Sequence, residues 1–232
     1  MTKLLLATLL AVTLSACGGP TAPTATPPPP VVTPPPAPPP SVATIAVVVC
    51  PDVVAGMDTA FYRQIGCNAF DTPLQPVRHW TLAPKVYLRT VDDAGSSIDV
   101  LTLDTVQNAM IEVASALTGG RFGLEGVLRG EDSREGQSGW LTVRWPATAQ
   151  AFCGRSDVGV DGGLIELSYL TAGCGCNGSA MRPSAARHEL GHALGYWHTD
   201  NPDDLMSNLG ATKPCDRLPS ARELAAMAYQ YR

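Results

Sequence analysis

The sequence has few basic and few aromatic residues, and both shortages limit what the protein can bind. Its 232 residues include 16 Lys and Arg against 21 Asp and Glu, which gives a formal net charge of -5, and aromatic residues make up 6%. A protein that binds nucleic acid needs a basic surface to neutralise phosphates, so we expect no nucleic-acid partner. Hydrophobic residues nevertheless make up 45% of the chain, which is enough for one core.

Long apolar runs, repeats and paired thiolate motifs are also missing. Beyond the start of the chain, no apolar run is long enough to cross a bilayer. No internal repeat is visible, and no CxxC pair has the spacing of a zinc finger. The length allows one or two domains, and the low-complexity composition of the first sixth favours one.

The start of the chain has the pattern of an export signal. Lys3 supplies a positive charge, a short apolar stretch runs from Leu4 to Leu14, and the sequence Leu-Ser-Ala-Cys ends at Cys17. A secretory signal ends in small residues and is removed. The four residues resemble the lipobox of bacterial lipoproteins, which implies a signal peptide over residues 1–16 and a lipid on Cys17. By the same resemblance, Gly18 implies sorting to the outer membrane of a Gram-negative host. The alternative is a soluble secreted protein in which Cys17 has no role.

Residues 17–41 are predicted to be a lipidated cysteine followed by a disordered tether. From Gly18 to Pro40 the chain is mostly Pro, Thr, Ala and Gly with scattered Val. Such a segment cannot bury enough apolar surface to offset its ordering entropy, and its prolines favour extended polyproline II. Pro-rich segments also bind aromatic-lined grooves, but a position between a lipid site and a folded domain favours a stalk.

The cysteine content indicates disulfide bonds. The sequence has 7 cysteines, and without Cys17 an even number remains, 7 − 1 = 6. In an exported chain these are expected to form disulfides. Cys50 and Cys67 form the natural local pair. Cys174 and Cys176 lie too close to pair with each other, so each is expected to bond with Cys153 or Cys215. A thiolate metal site is the alternative. The six cysteines are Cys50, Cys67, Cys153, Cys174, Cys176 and Cys215.

Local patterns predict a mixture of strands and helices. Apolar runs predict strands at 45–49, 85–90, 122–128, 140–145 and 164–169. Helices are predicted from an N-cap at Asp104 to Leu117, from about Ser184, and after Ser220, where Glu223 completes a capping box. Most of the stretch from 51 to 78 is predicted to be irregular. This pattern indicates an α/β or α+β domain.

Three of the 4 histidines lie within eleven residues. On a helix, His188 and His192 are four apart and project from the same face, so two nitrogens can reach one metal ion at about 2.0–2.1 Å. Glu189 points into the same cleft without needing to bind the ion. Gly195 can adopt the left-handed conformation that ends a helix, which allows His198 to return as a third ligand. A fourth position that stays open is typical of catalytic zinc.

These residues match every fixed position of HExxHxxGxxH, and the match resembles the zinc signature of the metzincin metalloproteases. The sequence from Asp204 to Ser207 resembles the Met-turn of that family, which implies that Met206 packs beneath the three histidines. The resemblance covers about 78–232, is nearest to the matrixin branch, and leaves 42–77 as an N-terminal extension. It implies a twisted mixed sheet, an active-site helix and a small C-terminal subdomain that ends in a helix. Thr199 leaves the subfamily open.

The resemblance implies a monomeric zinc endopeptidase with one catalytic Zn²⁺ and Glu189 as general base. Its substrate would be an extended protein or peptide of the cell envelope or extracellular space, paired with an edge strand, for which 164–169 is the candidate. The enzyme would touch the membrane only through its lipid. The alternative is a non-catalytic, metal-binding surface lipoprotein, an adhesion or inhibitor module, although binding alone does not require Glu189. Calcium could bind Asp157, Asp161 and Glu166, a solvated loop being the other interpretation.

Overall fold

The computed structural model describes residues 44–70, 73–208 and 214–232. The predicted signal peptide, Cys17 and the Pro-rich tether lie outside the described residues. In chain order, the strands and helices are β1 Ile45–Val48, α1 Thr59–Cys67, β2 Val77–Trp80, β3 Lys85–Arg89, α2 Val100–Leu117, β4 Gly126–Gly130, β5 Trp140–Arg144, β6 Gly154–Ser156, β7 Leu164–Leu167, α3 Pro183–Ala193 and α4 Ala221–Gln230.

The larger of the two sheets is a five-stranded mixed sheet with the strand order β4-β3-β5-β7-β6. The pairs β3–β4, β3–β5 and β5–β7 are parallel, and β6 runs antiparallel to β7. Both faces of the central strands are buried: Val86, Leu88, Leu141 and Val143 share one face and have no exposed surface, and Tyr87 and Thr142 are buried on the other. The fold is thus mixed α/β, as the sequence predicts. No helix among the described residues is long and apolar enough to cross a bilayer.

Helix α2 begins earlier than predicted. Asp99, not Asp104, is its N-cap, and the Asp99 side chain accepts a hydrogen bond of 2.8 Å from the Thr102 amide. The early start extends the buried stripe of the helix by one turn, to Leu103. Asp104 instead pairs with Arg129 on β4 at 2.7 Å. Two aspartates five residues apart are both good N-caps, and packing of the additional turn selects the first.

Helix α1 and the start of strand β2 lie in the stretch predicted to be irregular, so that prediction was wrong. Asp58 caps α1 by accepting from the amides of residues 60 and 61. The helix buries Phe61 and Ile65 and packs against α4 and β2. At nine residues it is too short to form without these contacts, which explains why its local sequence signal is weak. Strand β2 pairs antiparallel with β1.

Helix α4 confirms the predicted capping box. The Ser220 hydroxyl accepts from the Glu223 amide, and the Glu223 carboxylate accepts from the Ser220 amide. The helix packs against α1 and α2. The side chain of Glu223 is fully buried.

Three disulfides join the six cysteines of the described residues. Cys50 bonds with Cys67, as the sequence predicts. The other pairs are Cys153–Cys174 and Cys176–Cys215, whose members are separated by 21 and 39 residues in the sequence. Cys174 and Cys176 therefore bond with different partners. The first links the segment before α3 to the residue before β6, and the second links it to the segment before α4.

The edge of the sheet nearest α3 is β6, so the prediction that 164–169 forms the edge was wrong. Strand β7 lies between β5 and β6 and is paired on both sides. Strand β6 has three residues and begins with Gly154, and a strand this short has no apolar alternation by which a sequence could reveal it.

The contact between the end of α2 and α4 gives a first prediction. Gly119 and Gly120 both have positive φ, +61° and +83°, which strains any other residue. A Cβ on Gly119 would overlap the Ala228 backbone, whereas one on Gly120 would meet no atom within 4 Å. Gly119→Ala should therefore lower the free energy of unfolding by about 1–3 kcal/mol more than Gly120→Ala, since overpacking costs about that much. Urea denaturation measures both variants, and equal losses would contradict the close contact.

Candidate metal centre

Helix α3 carries the histidine motif and is buried along nearly its whole length. Every residue from Ser184 to Ala193 is buried, because α2 packs on one side and β6 and β7 on another. Pro183 occupies the first turn, where its missing N–H has no helical partner to lose. The helix is therefore a rigid element, and side chains on it have well-defined positions.

Gly195 ends the helix and turns the chain back. Its φ is +109°, and a Cβ at this position would overlap the Arg78 carbonyl oxygen, so both conformation and space require glycine. The last helical carbonyls also have partners: the Tyr231 hydroxyl donates to Leu194 O at 2.8 Å, and the Trp80 indole donates to a carbonyl of the preceding residue. Side chains from β2 and from the residue after α4 thus hold the bend in place.

The bend brings three histidines together. The Nε2 atom of His192 lies 3.1 Å from Nε2 of His188 and 3.1 Å from Nε2 of His198. The remaining pair, His188 and His198, is separated by 3.3 Å. Two zinc ligands at a tetrahedral angle lie about 3.3–3.4 Å apart when each zinc–nitrogen distance is about 2.0–2.1 Å. The triangle of nitrogens therefore has the size of three corners of a zinc tetrahedron.

The protonation of the rings also favours a metal. Nδ1 of His188 lies 2.7 Å from Leu205 O, and Nδ1 of His192 lies 2.7 Å from Tyr196 O. A carbonyl only accepts, so each Nδ1 carries the proton, and in a neutral imidazole the Nε2 atom then presents a lone pair. Two lone pairs 3.1 Å apart repel unless a cation lies between them. The donor set, the size of the triangle and the carbonyl groups that orient the rings of His188 and His192 all fit a zinc ion.

Met206 lies beneath the histidines against α3. It is fully buried, and its sulfur is in contact with Gly191, where a Cβ would overlap it. Glycine between the two helical histidines therefore makes room for the thioether. The chain after His198 turns and pairs with the segment that carries Met206. The Thr199 amide donates to Met206 O at 2.9 Å, and Thr199 forms a parallel β-bridge with Ser207.

Glu223 holds the turn that carries Met206. Its carboxylate accepts from the amides of Leu205 at 2.9 Å and Met206 at 2.7 Å. Since Leu205 O accepts from His188, the Glu223 carboxylate is linked to a histidine of the triangle through a single residue. Burial raises the pKa of Glu223, and the three backbone amides that it accepts from partly offset this. Sequence analysis identified Glu223 only as a helix cap and missed this connection.

Asp204 forms a second buried carboxylate network at the same turn. It has no exposed surface and accepts from Thr199 Oγ1 at 2.8 Å, Ser220 Oγ at 2.7 Å and Arg222 Nε at 3.1 Å. Burial alone would raise the pKa of Asp204, but hydrogen bonds from Arg222, Ser220 and Thr199 outweigh it and lower the pKa. The ionised carboxylate thus joins the chain after His198 to the start of α4.

Glu189 stands beside the histidine triangle but is not part of it. Among the described residues, the group of side chains that could hold a metal consists of the three histidines. Glu189 is buried, and its side chain lies against Gly154 of β6, where a Cβ would come within 2.5–2.8 Å of the Glu189 side chain. Only glycine at the edge strand leaves room for this carboxylate. Sequence analysis missed Gly154, because nothing local marks it.

Two cavities meet at the triangle. The first, which we call the disulfide cavity, has a volume of about 440 Å³ and reaches from the site to the Cys153–Cys174 disulfide and Thr171. The second, the strand cavity, has about 460 Å³ and is lined by Arg155 and Trp197. A groove with the metal ligands at its centre can hold an extended chain on both sides of them.

The carboxylates proposed for calcium do not form a cation site in the described residues. Glu166 is engaged by Arg144 at 2.5 Å and by Arg155 at 3.2 Å. Asp161 accepts from Ser138 and a backbone amide, and Asp157 accepts from the amide of Leu164. Each carboxylate connects loops or strands, and among the described residues the three do not come together as metal ligands.

Comparisons with known proteins identify no family. No protein-family model matches the chain, and no curated protein matches it. Among solved structures, the chain is similar to metalloproteinase-II from Bacteroides fragilis, with 16% sequence identity and a TM-score of 0.44. The match covers 72% of this chain and 65% of that one, so it spans less than two thirds of the neighbour. At this TM-score the likeness carries no conclusion about activity, which has to come from the side chains of the site.

Removal of one histidine should test the metal centre. His198→Ala should lower zinc affinity by more than about 100-fold, because outer-shell partners alone are worth about 10–100-fold and a direct ligand is worth more. The matched control is His79→Ala, which removes the histidine that lies on β2 outside the triangle. Titration against a competing chelator measures both. Unchanged affinity in His198→Ala, or equal losses in both variants, would show that the triangle is not the binding site.

Proposed function

We propose that the protein is a zinc-dependent endopeptidase of the metzincin type. The observation that carries the proposal is the convergence of three Nε2 atoms within 3.1–3.3 Å, with a buried carboxylate beside them that is not needed as a ligand. His188, His192 and His198 would hold the ion. When bound, zinc supplies Lewis-acid polarisation of a carbonyl group and lowers the pKa of water toward about 7.

Glu189 supplies the proton transfer. Its carboxylate takes a proton from the attacking water and later returns it to the nitrogen of the departing amine. Gly154 keeps the carboxylate in position by approaching it closely, and the rigid helix α3 prevents it from turning away. Binding of a metal by three histidines requires none of this, and for that reason an enzyme is favoured over a non-catalytic binding module.

The substrate would bind as an additional strand on β6. In the antiparallel pair of β6 and β7, the Cys153 carbonyl and the Asp157 amide face β7, so the alternation of the ladder directs the amides and carbonyls of Gly154 and Ser156 away from it. Those groups can pair with an extended peptide. Since Gly154 also contacts Glu189, a peptide paired there passes directly over the proposed base.

Replacement of Glu189 separates binding from chemistry. Glu189→Gln should retain zinc, since the carboxylate is not a ligand, while kcat for a protein substrate falls by about 10²–10⁴-fold, the usual worth of general acid–base assistance. Glu125→Gln is the control, because Glu125 is a half-exposed partner of Lys85. Zinc content and casein hydrolysis are measured for each variant. A zinc-loaded wild type that cleaves no protein would favour the non-catalytic lipoprotein, and full activity in Glu189→Gln would eliminate the proton-transfer role.

We also propose that the protein is exported, is anchored through a lipid on Cys17, and acts as a monomer on protein substrates of the envelope or extracellular space. The lipobox-like residues before Cys17 and the Pro-rich stretch after it support this localisation. Three disulfides fit an oxidising compartment.

The anchor can be tested in cells. Cys17→Ser should move the protein from the membrane fraction to the soluble fraction, and labelled fatty acid should be incorporated into the wild type alone. Fractionation followed by immunoblotting measures the first effect. A soluble wild type, or a variant that stays with the membrane, would refute the anchor and leave the endopeptidase proposal intact.

A further inference from the structure

The boundary between the two cavities contains a side chain that the mechanism has not used. Residues that line both the disulfide cavity and the strand cavity surround the point where a peptide bond would react. They are Gly154, His188, Glu189, His198 and Asn208. Two are metal ligands, one is the base and one has no side chain. Asn208 is the remaining polar side chain among the described residues that line both cavities.

The backbone of Asn208 is tied to the third histidine. Its amide is 3.4 Å from Thr199 O, and Ser207 bridges to Thr199 in parallel register. Thr199 directly follows His198, so Asn208 lies on the strand-like segment that runs beside that ligand. The same turn is held by the buried carboxylates of Asp204 and Glu223. Asn208 is itself exposed and lines both cavities, so it borders the open part of the groove.

The chemistry of an amide suits this place. A primary amide has two N–H donors and carries no charge, so it can stabilise a developing anion without adding to the charge of the metal site. The other side chains at the boundary do not serve this purpose, because Glu189 is an acceptor and the histidines present lone pairs toward one another. A donor aimed at the oxygen on which negative charge develops is commonly the largest single contribution to catalysis.

We propose that the side-chain amide of Asn208 is a catalytic residue that donates a hydrogen bond to the carbonyl oxygen of the scissile peptide bond. This proposal rests on the endopeptidase function. As the oxygen of water bonds to the carbonyl carbon, its proton passes to Glu189 and the C=O π pair moves to the carbonyl oxygen, where Asn208 donates and keeps its proton. When the C–N bond breaks, its electron pair leaves with the nitrogen, and the pair held on the carbonyl oxygen restores the C=O bond. Glu189 then gives its proton to the leaving nitrogen.

The experiment compares three variants of the full chain loaded with zinc. Asn208→Leu preserves the size of the side chain but removes its donors, and Asn208→Gln retains an amide. Asn108→Ala is the control, since Asn108 lies on the exposed face of α2. Steady-state kinetics on one peptide, zinc affinity, and affinity for a phosphonamidate analogue of that peptide are measured for each. The phosphonamidate presents a tetrahedral, negatively charged centre, so its affinity reports the donor independently of turnover.

Asn208→Leu should lower kcat by about 10²-fold, the low end for loss of one such donor, with KM changed by no more than about twofold. Affinity for the phosphonamidate should fall in parallel, zinc affinity should equal that of the wild type, and Asn208→Gln should recover part of both losses. Unchanged kcat in Asn208→Leu, or a fall in zinc affinity that accounts for the lost activity, would overturn the proposed role of Asn208 and leave the endopeptidase function intact. A zinc-loaded wild type without turnover would overturn the endopeptidase function and this role with it.

Discussion

Three imidazole Nε2 atoms face one another within 3.1–3.3 Å, and the surrounding structure has to oppose the repulsion between the lone pairs of His188 and His192. Carbonyl groups of Leu205 and Tyr196 fix the ring protons of these two histidines on the outer side, so their Nε2 atoms cannot relieve the repulsion by bonding to each other. A cation bound by the three nitrogens would stabilise only the folded arrangement, so metal binding at this cluster would be coupled to folding of the region. The helix, the bend at Gly195 and the turn at Met206 are the elements that resist the repulsion.

Glycines give the site its shape by permitting close approach. Gly191 admits the sulfur of Met206 to the face of α3, Gly154 admits the carboxylate of Glu189 to β6, and Gly195 admits the Arg78 carbonyl to the bend. In each case one side of the contact is backbone that cannot move aside. A single methyl group at any of the three would displace a different part of the site: Met206 beneath the histidines, the Glu189 carboxylate, or the bend that positions His198.

The histidine motif was accessible from sequence because its geometry is local. Spacing of four residues on a helix brings His188 and His192 to one face, and a glycine three residues later marks the bend. The capping box of Ser220 and Glu223 is local in the same way. The link from Glu223 to His188 could not be predicted, because it passes through backbone groups of a turn 17–18 residues before the carboxylate. Similarly, Gly154 gains its role only when β6 and α3 meet, and the first turn of α2 is selected by tertiary packing.

The short edge strand has a consequence for how the molecule behaves at high concentration. An exposed edge that can accept a peptide can also accept the edge of another copy, and long flat edges of this kind lead to aggregation. Strand β6 has three residues, and in the antiparallel ladder only Gly154 and Ser156 present their backbone groups outward. In the proposed binding mode two residues would be enough to align a peptide that the groove also holds, but they are too few to join two sheets edge to edge. A short β6 would therefore accept a peptide ligand and still disfavour self-association through the same edge.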